Sequence, residues 1–189
     1  MGSTLSVTHL RGLTSGNDAN KIYVDSDHSI IGTNVGQIYA PGTVVNIENA
    51  VTMGSSGNTT TATSFTDTGV SLTITPKLTN SKFMVNVFQI VSMDDGASHT
   101  RIDFRAVAVQ DSTTTEIYRM DFFGNDGTTI SRNQENCSGS GVYTNTTGNQ
   151  IVFKTQVQKA NGSANETDTI HMTWYNSTRH QITVMEIAQ

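Results

Sequence analysis

Apolar and polar positions alternate with period two along most of this chain, and no segment carries a helical stripe. The pattern is clearest from Thr63 to Val91. There Val70, Leu72 and Ile74 alternate with Ser71, Thr73 and Thr75 after a polar turn holding Asp67 and Gly69. Pro76 ends this strand, because its ring nitrogen has no hydrogen to give to a ladder. Lys77 to Lys82 form a polar connection, and a longer strand begins at Phe83. Similar runs predict strands over 43–51, 59–65, 70–75, 83–91, 100–109, 116–122, 150–158, 169–175 and 181–187. Gly, Asn, Asp and Ser clusters separate them, among them Asp94 to Gly96, Asp111 with Ser112, Asn125 to Gly127 and Gly139 to Gly141. Short strands at even spacing predict an all-β sandwich or barrel.

The alternation also assigns faces. Phe83, Val85 and Val87 point inward, as do Ile102, Phe104 and Ala106, Ile151 and Phe153, Ile170, Met172 and Trp174, and Ile182 and Val184. The opposite faces are not uniformly polar. Met84, Phe88 and Ile90 lie opposite the Phe83 set, and Met185 and Ile187 lie opposite Ile182. A sheet with one wet face carries polar residues there. Either a sister subunit covers these five residues, or they are scattered surface hydrophobes that need no explanation.

Residues 1–40 have a different texture. Leu5 and Val7 alternate, Leu10 follows, and Ile22 and Val24 alternate after breaks at Gly12, Gly16 and Asn17. This stretch holds too few large apolar residues to bury a core alone. It is expected to order only against the rest of the chain, sister copies or a larger assembly. The chain therefore divides into a segment 1–40 and a β-module 41–189.

Composition narrows the function. The 189 residues carry a net charge of −5 with only 14% charged residues, and no basic run marks a nucleic-acid surface. The single cysteine, Cys137, has no partner for an internal disulfide. No apolar run approaches the roughly 20 residues that span a bilayer. The first residues lack the apolar core of a signal peptide, so synthesis in a cytoplasm is expected. No cofactor is expected.

Candidate chemistry is sparse. Asp25, Asp27 and His28, and Asp94, Asp95 and His99, could supply metal ligands, but neither group continues into a full calcium loop; Asx-rich turns explain both. No two of the five histidines have the spacing of a helical zinc pair. His171, on the Thr169 side of its strand, is expected at a surface or interface. Gly139-Ser140-Gly141 lacks the pattern of a nucleophile elbow. Asp67, Asp103, Glu116 and Asp121 could serve glycoside hydrolysis only if two of them flanked one sugar, and the sequence brings no two together. The reading is therefore non-enzymatic. Phe123, Tyr143 and Tyr175 could face a sugar, whereas Trp174 belongs with the core set.

Thr63, Ser64, Thr66 to Ser71, Ile74 to Lys77, Ser81 and Lys82 together resemble a unit that opens a C-terminal β-module in structural proteins of tailed bacteriophages, particularly those of marine and cyanobacterial hosts. The ending, Ile182 to Ala188, is also similar to theirs, as are Ser3 to Leu5, Val7 and Gly36 to Ile38 near the start. The resemblance implies a virion fibre, spike or decoration protein with a jelly-roll-like, trimeric C-terminal module. Its N-terminal segment would attach to other virion proteins, with Leu5, Val7, Leu10, Ile22 and Val24 as anchors. Its partners would be two sister copies and, through tip loops at 92–99, 123–127 and 138–147, a host surface polysaccharide. Neither nucleic acid nor membrane is expected as a partner, and the location would be the virion. The rivals are a capsid cement protein without a receptor and a carbohydrate-binding module of a bacterial enzyme.

Overall fold

A computed structural model of the chain describes residues 41–54, 58–94, 101–123, 133–160, 169–173 and 178–189. The chain divides into Met1–Ile38 and Tyr39–Gln189. Everything below concerns the second unit, and the anchors expected in residues 1–40 lie outside the described residues. The unit is all-β, built from antiparallel sheets. Its strands are β1 (Val44–Met53), β2 (Thr59–Thr60), β3 (Thr66–Ile74), β4 (Ser81–Phe88), β5 (Ile90–Asp94) and β6 (Arg101–Gln110). They continue with β7 (Thr113–Phe123), β8 (Asn133–Asn136), β9 (Gly139–Asn145), β10 (Ile151–Lys159), β11 (Thr169–His171) and β12 (Arg179–Ala188).

Two four-stranded sheets form the sandwich, with orders β1-β12-β4-β9 and β3-β10-β6-β7. A third, smaller sheet has the order β2-β11-β5-β8. Its strands lie on four of the six connections that carry the chain between the main sheets. Its order repeats that of the first sheet, because each short strand follows or precedes its long counterpart in the chain.

The inward faces behave as the alternation predicts. Val70, Leu72, Ile74, Phe83, Val85, Val87, Ile102, Phe104, Phe153, Ile182 and Val184 share one buried cluster. Phe83 on the first sheet meets Phe153 on the second with ring centroids 5.6 Å apart, which places the core between the two sheets. Full burial of each large side chain contributes about 1.5–3 kcal/mol.

Three sequence expectations change. Asp67 and Gly69 lie not in a turn but inside β3. There the pairing with β10 shifts register, and Gly69 has φ +84°, a bulge geometry that suits glycine. The strand expected over 83–91 breaks at Gln89 and resumes as β5 in the third sheet. Residues 138–147, expected as a tip loop, are largely strand β9. The turn at Asp111 and Ser112 is confirmed: both have positive φ and close a two-residue hairpin between Gln110 and Thr113, as type I′ turns do.

Buried polar groups fasten this frame. Gln89 accepts from Thr155 Oγ1 at 2.7 Å and donates to the Met172 carbonyl. Thr68, inward in line with Val70 and Leu72, bonds the Thr155 hydroxyl. At the opposite end Asn145 Nδ2 donates to the Leu78 carbonyl at 2.9 Å, and its Oδ1 accepts from Gln110 Nε2 at 3.0 Å. The buried Glu186 carboxylate accepts from the Lys77 and Leu78 amides at 2.9–3.0 Å. His171, expected at a surface or interface, is 7% exposed, because β11 is flanked on both sides by β2 and β5.

Candidate functional site

The two outer faces of the sandwich differ in chemistry. On the first sheet the outward positions form rows across the strands. Ile47 pairs with Met185, Met185 with Met84, and Met84 with Val142, so one apolar row crosses all four strands. Ile47 and Val142 at its ends are 62% and 56% exposed, and Met84 is 38% exposed. The next row is polar: Asn49, Thr183, Asn86 and Ser140. Beyond it lie Val51, Gln181 and Phe88, with Phe88 41% exposed. On the far side of the apolar row, Val44 and Ile187 meet Lys82 and Thr144. Lys82 and, at the other end, Arg179 are the charged side chains among these outward positions, and no carboxylate faces out with them.

The outer face of the second sheet is the reverse. Asp67 bonds Lys154 Nζ at 2.7 Å and Gln156 Nε2 at 2.6 Å. Gln156 accepts from Arg105 Nε at 2.8 Å. Asp103, whose side chain is 4% exposed, holds Arg119 at 2.7 Å and accepts from Gln158 at 3.0 Å. Arg101 bridges Asp103 and Asp121, and Glu116 meets Arg105 at 3.6 Å. Phe65 lies under the Arg105 guanidinium, 3.6 Å from ring centroid to carbon, a cation–π distance. Burial alone would raise the Asp67 pKa. The hydrogen bonds from Lys154 and Gln156 and the charges of Lys154 and Arg105 outweigh it, and hold that carboxyl below its ordinary value.

Asp67, Asp103, Glu116 and Asp121, which the sequence could not bring together, thus share one face. Each is bound to a cation on a neighbouring strand, an arrangement that neutralises charge across the face. Among the described residues no group of three His, Cys, Asp or Glu side chains converges as metal ligands would, and no helix is long and apolar enough to cross a membrane. The metal candidates at Asp25 to His28 and around His99 lie outside the described residues. Cys137 is buried, and burial pushes its thiol above its ordinary range, which disfavours the reactive thiolate.

The expected interface residues separate. Met84 and Met185 share the apolar row, and Phe88 and Ile187 lie in the rows around it. Ile90 does not belong with them. The break at Gln89 puts it in β5, where it pairs with Asn136 and its amide donates to His180 Nδ1 at 3.2 Å. Tyr143, expected to face a ligand, is turned inward. Its ring meets Phe153 edge-on at 6.0 Å, and its hydroxyl donates to Gln110 Oε1 at 2.7 Å. Burial and the nearby Asp111 charge raise its pKa. The Phe123 side chain and all of Tyr175 lie outside the described residues. Sequence reasoning missed Ile47, Val51 and Val142. The alternation of Ile47, Asn49, Val51 and Met53 was the available signal for the first two; Val142 was hidden by the glycines beside it. No protein-family model matches the chain, and no curated protein matches it.

Proposed function

We propose that this chain is a non-enzymatic structural protein of a bacteriophage particle, a tail or capsid fibre or spike displayed on the surface as a homotrimer. The observation that carries the assembled, structural part of this reading is the division of charge between the two outer faces. The second sheet presents an ion-paired face suited to water. The first presents apolar and amide rows without a carboxylate, which suits contact with sister copies. Its strand order and that of its partner sheet support a jelly-roll-like reading, an architecture of viral capsid domains, lectins and cupins. That wiring alone selects no function; the virion assignment leans on the resemblance of Thr63–Val91 and Ile182–Ala188 to phage structural proteins. Residues 1–40 attach the trimer to neighbouring virion proteins, and the connections between the sheets face the host polysaccharide.

The native mass of the purified chain, followed by antibody labelling of intact particles, tests this. Three copies per assembly and labelling at the particle surface are expected. Met84→Asp should disperse the assembly while leaving the circular dichroism of each subunit intact. A wild-type chain that stays monomeric at micromolar concentration overturns the reading.

A further inference from the structure

We propose that the polar row Asn49, Thr183, Asn86 and Ser140 is a registry layer that fixes how copies of this chain align on the first sheet's outer face. The inference rests on the reading that this face meets sister copies. The geometry supplies the reason. Neighbours within a row lie about 4.8 Å apart, and successive rows on one face lie about 6.7 Å apart. Rotation about an axis preserves height along that axis. In any rotational assembly whose axis runs along these strands, each row therefore meets copies of itself. The row of Ile47, Met185, Met84 and Val142 then seals against apolar rows, and Asn49 and Asn86 meet amides and hydroxyls. The side-chain amides of Asn49 and Asn86 make no hydrogen bond among the described residues, so their donors and acceptors are available across the contact.

Two observations commit the face to a second copy of this chain. Lys82 and Arg179 sit in its outer rows, leaving an uncharged centre that attracts neither a polyanion nor a basic segment and does not repel itself. Four strands of up to ten residues give a face of roughly 500 Å² in projection, the same order as one partner's share of a standard interface. A slip of one row turns the closed rotation into an open screw and sets Asn49 and Asn86 against Met84 and Met185. It buries amides without partners, a heavy penalty beside the gain from any one apolar contact. Without the polar row a slipped alignment would match the correct one. A single polar position has the same role in coiled-coil seams, where it fixes register and copy number at some loss of stability.

The test compares wild type with the Asn49→Val, Asn86→Val double variant by native mass spectrometry and thermal melting. Asn49→Val alone, on the edge strand, probes the layer without altering the middle of the sheet should the double variant misfold. Wild type should give one copy number. The variants should stay assembled and melt no lower, yet spread over two or more copy numbers. A variant that keeps one copy number overturns the registry role while leaving the assembly reading intact, and so does one that falls apart, since the amides would then supply adhesion. A monomeric wild type overturns both.

Discussion

Glu186 shows how one buried charge fastens the sandwich. It lies on β12 and points into the closed end, where the chain passes from β3 to β4. Its two oxygens accept from the part-buried backbone amides of Lys77 and Leu78, which follow a proline that offers no donor. A carboxylate can accept at both oxygens, whereas a glutamine can accept at one and presents an N–H at the other. Glu186→Gln keeps one oxygen for both amides but sets its N–H against the Lys77 amide, and should lower stability by about 1 kcal/mol, read as a shifted urea midpoint at unchanged slope. Glu186→Ala removes the acceptors altogether and should be no less damaging. Equal stability of all three proteins would mean that water or another acceptor serves these amides. The same bond joins two segments distant in the chain, Lys77 in one and Glu186 in the other. Asp67, Thr68 and Gly69 in the first segment likewise hold an outer ion pair, an inward hydroxyl and a bulge.

At the scale of the strand, β9 is the instructive case. Gly139, Ser140 and Gly141 read as a turn because glycine weakens a strand and usually marks a loop. In the structure they are strand, and the glycines are there because β7 approaches closely across the edge of the sandwich. A Cβ on Gly141 would sit 2.4 Å from the Ile117 carbonyl oxygen, and one on Gly139 would sit 2.2 Å from the Tyr118 ring. A side chain can turn away from a clash more easily than a backbone carbonyl can. Gly141→Ala should thus be the costlier change, destabilising by about 1–3 kcal/mol, with Gly139→Ala closer to wild type in a denaturant titration. The reverse order would show that β7 yields as a whole. Strands with clean alternation, such as β3, β4, β10 and β12, were legible because burial on one face alone writes period two into the sequence. The bulge at Gly69 and the break at Gln89 were not, since both depend on which strand lies opposite. The outer rows were half legible: alternation showed Met84, Phe88, Met185 and Ile187 facing away from the core, but their alignment with Ile47 and Val142 is a matter of register between strands distant in the chain.

For the whole molecule, the charge division predicts how the assembly responds to salt. Interfaces steered by ion pairs weaken as ionic strength rises, because exposed charges are screened beyond a Debye length of about 10 Å at 0.1 M and about 3 Å at 1 M. Contacts made by apolar and amide rows have no such dependence, and excluded salts such as sulfate strengthen them. The ion-paired lattice of Arg101, Asp103, Arg105, Glu116, Arg119 and Asp121 lies on the other face. If copies met through that lattice, raising sodium chloride from about 0.05 M to 1 M would loosen them. If they meet through the first sheet, as proposed, the sedimentation coefficient should hold constant across that range and dissociation should need more urea in sulfate than in chloride. Asp103→Asn should lower subunit stability without changing copy number, and Val142→Asp should do the opposite. An assembly that falls apart in 1 M sodium chloride would move the contact to the second sheet and leave the row of Ile47, Met185, Met84 and Val142 as ordinary surface.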